Sequence, residues 1–282
     1  MSPLQAFAIA VLQGATELFP VSSLGHAVLL PALLGWHIDQ AGESFLPFLV
    51  MLHVGTAVAL LAYFWRDWWA LAAGVLGLST PHAAAESRRV LALIVIATIP
   101  AALLGALLEH QLRRLFGSPA IIAAALAANG LLLLLAQRVR ARTPAATAQR
   151  PLSALRPLDA LAVGIWQCLA LVPGFSRSGA TITGALLRGL HPEGAAHFSF
   201  LIATPIILGA TVLEVPKLLR ADMPPGTLQL SLLAAVVAGI TAWLSTAFLM
   251  RWFRNHDQWA LDPFAWYCIA AGLGSLAYLT LA

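Results

Sequence analysis

This chain is short of charge. Only 10% of its 282 residues are Asp, Glu, Lys or Arg, against 60% that are hydrophobic. Soluble domains carry roughly 25% charged and about 45–50% apolar residues. The shortage excludes a soluble globular domain and places the chain in a membrane. Cysteine is scarcer still: Cys168 and Cys268 both sit in apolar runs, with no metal-ligand spacing and no disulfide framework. The N-terminal stretch MSPLQAFAIAVLQ lacks a basic leader, so no cleavable signal peptide is expected. The net charge of +4 would suit a nucleic-acid partner, but the basic residues lie in short connectors between apolar runs. Such connectors orient helices in membranes, and no nucleic-acid partner is expected.

What remains is apolar sequence in long pieces. Six runs, 46–65, 90–108, 119–136, 197–213, 229–250 and 263–282, are long enough or nearly so to span as helices a hydrocarbon core of about 30 Å. Four shorter pieces, 3–19, 26–36, 158–172 and 178–190, form two pairs, each broken by a turn rich in Pro, Gly and Ser. Irregular backbone at membrane depth is tolerated only where protein buries it or it lines a wet cavity, so each pair reads as a re-entrant hairpin. The apolar stretch 68–78 reads as an interfacial helix. The expected fold is an all-α polytopic membrane protein, one domain over 1–282.

The two broken hairpins resemble each other. Gln13, Pro20 and Ser23 in the first correspond to Gln167, Pro173 and Ser176 in the second, with one gap. The distance from Ser23 to Gly55 is 32 residues and from Ser176 to Gly209 is 33. An internal repeat follows, 1–137 and 157–282, joined by a basic linker at 138–156. With the linker in the cytoplasm, the inner connectors carry eleven Lys or Arg and the outer ones four: Arg113, Arg114, Lys217 and Arg220. That bias favours this orientation. Three spans per half then make the repeat inverted, an architecture of many transporters.

Polar residues concentrate in the two turns. Gln13 and Glu17 share a helix face, and a carboxylate inside an apolar helix is a functional hypothesis by default. Ser22, Ser23 and His26 follow within nine residues of it. They offer a hydroxyl and an imidazole, a set that can hold a metal, provide a nucleophile and move a proton; the bland alternative for each serine is a helix cap. In the second turn, Gly174 and Gly179 permit tight backbone, and Ser176, Ser178 and Thr181 supply hydroxyls. A helix start there favours an anion, and the fork of Arg177 matches phosphate oxygens. An ion pair from Arg177 to Glu17 is the less favoured reading.

These segments resemble the two signature motifs of the bacterial undecaprenyl-diphosphate phosphatase family. The first is Gln13-Gly-Ala-Thr-Glu17 with Pro20-Val-Ser-Ser-Leu-Gly-His26; the second runs from Pro173 to Thr181. The resemblance extends over the chain in length and hydropathy. There are departures: Gln13 takes the Gln option where many members have Glu, Leu24 stands where Thr is common, and His53 where Gln is frequent. The first leaves one carboxylate fewer for a metal; the third adds a histidine to the region.

The resemblance implies hydrolysis of undecaprenyl diphosphate to undecaprenyl phosphate in the bacterial inner membrane, with the site open to the periplasm. It also implies a divalent cation, Mg²⁺ or Ca²⁺, on Glu17 and Gln13. Ser23 is the expected nucleophile with His26 as base or shuttle; direct attack by His26 is the alternative. Expected partners are the polyprenyl diphosphate lipid and the membrane, with a homodimer left open. Two rivals remain: a transporter or flippase of an anionic lipid, which inverted repeats and broken helices fit equally well, and a non-catalytic scaffold. A nucleophile beside an anion cradle argues against the carrier, and buried Glu17 and Arg177 against the scaffold.

Overall fold

Proline at a helix start needs no partner for its missing N–H and has its φ already set. Five of the described helices begin at a Pro: Pro3, Pro81, Pro119, Pro157 and Pro192. In the computed structural model, which describes all residues except 37, 39–44, 109–110, 113–114, 116–117, 143–149, 221–225 and 282 and does not describe the side chains of 46 and 214–220, the order is wholly helical. The helices are α1 (Pro3–Thr16), α2 (Ser23–Leu33), α3 (Phe45–Tyr63), α4 (Trp65–Leu76), α5 (Pro81–Leu107), α6 (Pro119–Ala141), α7 (Pro157–Gln167), α8 (Arg177–Leu187), α9 (Pro192–Arg220), α10 (Thr227–Asn255) and α11 (Asp262–Leu281). Among the described residues there is no strand, only an isolated bridge between Arg150 and Leu190.

Five helices are long and apolar enough to cross a membrane alone, and α3 with α4 makes a sixth candidate bent by 74°. Helices thus occupy all six expected runs, five of them long and apolar enough alone and α3 only when joined to α4, which it meets at a corner. Helix α4 covers the stretch expected at the interface; its Trp65 and Trp69 are exposed, which suits the headgroup level of a bilayer. Arg113, Arg114 and the linker stretch 143–149, used above to argue orientation, lie outside the described residues, and so do the side chains of Lys217 and Arg220.

Both short pairs are broken helices. Helix α1 ends at Thr16; beyond Glu17, Ser22 takes φ +67°, and α2 starts at Ser23. Helix α7 ends at Gln167, one 3₁₀ turn spans Cys168–Leu171, and α8 starts at Arg177. Gly174 between them has φ +107°, and a Cβ there would come 2.5 Å from the carbonyl of Ile122 on α6. Only glycine fits that backbone and that approach.

Each half thus holds a broken pair followed by three long helices, and the packing exchanges between halves. Helix α1 lies on α10 and α7 on α5; α3 meets α9, and α6 meets α11. Small residues let these backbones close up, as is usual where lipid supplies no hydrophobic drive between helices. A Cβ on Gly239 of α10 would sit 2.9 Å from the carbonyl of Gly55 on α3. This crossed packing brings the two turns tip to tip: a Cβ on Gly25 would lie 3.2 Å from the Cα of Gly174.

Candidate active site

Glu17 is the hub between the turns. It caps the C-terminus of α1, its backbone N–H bonded to the Gln13 carbonyl at 2.8 Å, and its carboxylate is buried. Oε2 accepts from Nε2 of Gln13 at 2.9 Å and from Oγ of Ser23 at 2.5 Å. Nε2 of His53 on α3 stands 3.4 Å from the same oxygen. Oε1 faces Nη2 of Arg177 at 3.2 Å. The ion pair, the less favoured expectation from sequence, therefore forms. Arg177 keeps donors to spare, since of five N–H groups it spends one on Glu17 and one on the Ser199 carbonyl, 3.3 Å away.

These groups open on a cavity of about 430 Å³. Its walls include Glu17, Ser22, Ser23, His53, Gln167, Ser176 and Arg177; the rest is apolar or small, from Leu24, the second turn, α3, α5 with Leu112 beyond it, and α9 from Pro205 to Leu213. Among the described lining residues, Glu17 is the one carboxylate and Arg177 the one guanidinium. In so apolar a surround their fields act with little screening.

The remaining sequence candidates are placed differently from one another. Ser22 caps α2 through Gly25 N at 3.2 Å. Ser176 caps α8 through Gly179 N at 3.1 Å. Ser176 and Ser178 both donate to the Phe19 carbonyl, at 3.3 and 2.9 Å, stitching the second turn to the first. Thr181 bonds to the Arg177 carbonyl at 2.8 Å and to Ser199 Oγ at 2.7 Å. Gln13, Ser178, Gly179 and Thr181 are buried behind the cavity wall and frame it.

His26 is not brought to Ser23. Its Nδ1 is 2.6 Å from the Ser22 carbonyl, and its Nε2 is 2.7 Å from the hydroxyl of Tyr267 on α11, with the two rings stacked. Residues three apart share a helix face, but the contact from Nδ1 to the Ser22 carbonyl and that from Nε2 to Tyr267 fix the ring. Both nitrogens are engaged away from the serine, so the expected Ser23–His26 pair does not form. His53 is the histidine at the carboxylate instead.

Sequence reasoning did not single out Asn129, Ser199 or Tyr267. A lone Asn within an apolar span is costly and often functional, so Asn129 carried a signal; nothing in the sequence marks Tyr267.

Among the described residues, no group of three or more His, Cys, Asp or Glu side chains is arranged to hold a metal ion. A hard divalent cation takes oxygen, and Mg²⁺ is usually bound through one or two carboxylates plus substrate phosphates. Oε1 of Gln13 is buried without a hydrogen-bond partner, because Nε2 is the atom turned to Glu17. The Glu17 carboxylate in the cavity wall, completed by phosphate oxygens, fits such a cation, and the unpartnered Gln13 oxygen lies behind it as a further oxygen donor.

Residues 6–274 match the family described as bacitracin resistance protein BacA. The chain is 63% identical to an undecaprenyl-diphosphatase of Granulibacter bethesdensis, covering 100% of this chain and 98% of that protein. It is 57% identical to one of Acidiphilium cryptum, covering 98% of each. A third relative of the same name, from Gluconacetobacter diazotrophicus, is 56% identical over 99% of this chain and 98% of its own length. With both turns intact and the match running through every helix, the chain belongs to the BacA family.

Proposed function

We propose that this chain hydrolyses undecaprenyl diphosphate to undecaprenyl phosphate and inorganic phosphate, recycling the lipid carrier of cell-wall synthesis. The observation that carries the reading is the 2.5 Å hydrogen bond from Ser23 Oγ to Glu17 Oε2, inside an apolar cavity that also holds Arg177. A hydroxyl bonded to a carboxylate has a proton acceptor in place, and a guanidinium beside it receives phosphate oxygens.

Phosphoryl transfer asks mainly for positioning and charge stabilisation. Arg177 binds the terminal phosphate with the donors it does not spend on Glu17 and Ser199. Ser23 Oγ attacks the terminal phosphorus as its proton passes to Glu17. The bond from that phosphorus to the bridging oxygen breaks, and undecaprenyl phosphate leaves. Water then attacks the phosphate on Ser23, giving inorganic phosphate and restoring the hydroxyl. His53 stands beside the same carboxylate oxygen and can relay its proton. His26 orients the turn through the Ser22 carbonyl. A divalent cation, Mg²⁺ or Ca²⁺, held by Glu17 and Gln13 would supply neutralising charge for the phosphate oxygens.

The prenyl tail lies against the apolar part of the cavity, between α5 and α9. That part extends to Leu112 and Leu213, next in sequence to the connectors expected outside, which together carry four basic residues against eleven inside. This supports a site open to the periplasmic side of the bacterial inner membrane. Labelling of engineered cysteines tests the orientation: Ser118 is reached from outside and Ser153 from the cytoplasm, and the reverse pattern overturns it.

The test of function is phosphate release by the purified chain from undecaprenyl diphosphate with Mg²⁺ or Ca²⁺. A carrier of anionic lipid would bind the substrate and release no inorganic phosphate under any metal condition.

A further inference from the structure

Asn129 lies in α6, a helix that belongs to neither broken pair, and is fully buried among alanines and leucines. Its Nδ2 donates to the carbonyl of Pro20 in the first turn at 2.9 Å. Its Oδ1 accepts the backbone N–H of Ser176 in the second turn at 3.0 Å. Nδ2 also stands 3.4 Å from Sγ of Cys268 on α11. One planar amide thus holds both turns, three residues before Ser23 and one before Arg177.

We propose that Asn129 is a positioning residue for the phosphoryl transfer: it clamps the two turns so that the Ser23 hydroxyl and the Arg177 fork converge on one phosphate. The proposal rests on the hydrolase reading above. The chemistry of the bonded atoms selects an amide. Pro20 offers only a carbonyl at that point and Ser176 only an N–H, so the clamp must donate at one atom and accept at the next. Asp would keep the acceptor and lose the donor; Leu would keep the volume and lose both. The direct stitches between the turns, Ser176 and Ser178 to Phe19, tie the turns to each other. Asn129 ties both to the frame and so sets where the pair sits relative to Glu17.

A misplacement of about 1 Å in a reacting pair costs on the order of a hundredfold in rate. In the full-length chain, Asn129→Leu is expected to lower kcat for undecaprenyl diphosphate about tenfold to hundredfold. KM should stay within about threefold, since Arg177 still attracts the anion. A simply structural residue would lower the folded yield and leave kcat per folded molecule alone, so kcat is normalised to the monodisperse fraction. The cycle with Arg177→Lys is the deciding readout. Without the fork there is nothing left to aim, so adding Asn129→Leu to Arg177→Lys should cost less than about threefold more, the non-additivity of residues that act as one unit. Unchanged kcat, or full additivity with Arg177→Lys, overturns the clamp. If Asn129→Leu does not fold, Asn129→Ser, which shortens the reach, takes its place in the same cycle, with non-additivity again expected and additivity again overturning the clamp. A parent chain that releases no phosphate refutes the hydrolase reading itself and the proposal with it, a result distinct from an active parent whose Asn129 variants run at full rate.

Discussion

Nη2 of Arg177 stands 3.2 Å from Oε1 of Glu17, across 160 residues of chain. The contact joins the permanent cation of one broken-helix turn to the carboxylate of the other. It also decides how either residue can be probed. Removing one member of a buried pair leaves an uncompensated charge and costs about 3–5 kcal/mol. Substitutions that keep the charge are therefore the most informative, and one that removes it is read on the folded fraction only.

Arg177→Lys keeps the charge and loses the fork. Its phosphate release is expected to fall about tenfold to a thousandfold, or roughly 1.4–4 kcal/mol of transition-state stabilisation, with the thermal melt in detergent close to that of the parent. Near-normal turnover in a folded sample would reject Arg177 as the phosphate ligand.

Glu17→Gln keeps the shape and removes the charge that Ser23, Gln13, His53 and Arg177 all face. Hydrolysis should collapse, and titration with Mg²⁺ or Ca²⁺ should restore little of it. A metal-response curve matching that of the parent would remove Glu17 from the cation site.

Ser23 and His26 should now separate. Ser23→Ala is expected to abolish hydrolysis while lipid diphosphate binding persists, because Arg177 is untouched. His26→Ala removes a support of the Ser22 carbonyl and the contact to Tyr267. It should lose on the order of tenfold to a hundredfold, the scale of a misplaced reacting group. Full activity in Ser23→Ala with none in His26→Ala would instead make the imidazole the attacking group.

Gly209 lines the cavity, and a Cβ there would meet nothing within 4 Å. Gly209→Leu can therefore fill the tail path without crowding the fold. Turnover of undecaprenyl diphosphate should fall about tenfold or more, the worth of a few methylene contacts, while a short-chain prenyl diphosphate is hydrolysed at the parent rate. Equal effects on both substrates would place the tail elsewhere.

The membrane class, the six spans and the two broken pairs were legible because each is a local property. Apolar length sets a span, and Pro173-Gly174 or Pro20 with its serines sets a break, whatever the rest of the chain does. The roles of individual hydroxyls were less legible. Ser22 and Ser23 are neighbours of one type, yet one caps α2 and the other bonds Glu17. Only the φ of +67° at Ser22 decides which is which, and sequence does not display it.

Histidine shows the same division. His26 lies in the signature turn and His53 lies 27 residues later in an apolar span, and sequence proximity favoured the first. Tertiary packing favoured the second, because α3 runs past the end of α1 and brings Nε2 of His53 to the carboxylate, while α11 offers Tyr267 to His26. The sequence by itself determined what each segment is: membrane helix, broken hairpin, acidic turn, basic turn. The crossed packing of the two halves decided which side chains share one cavity. Helix composition specifies burial face by face, whereas contact between residues as distant as Glu17, Asn129 and Arg177 exists only once separate helices have closed on one another.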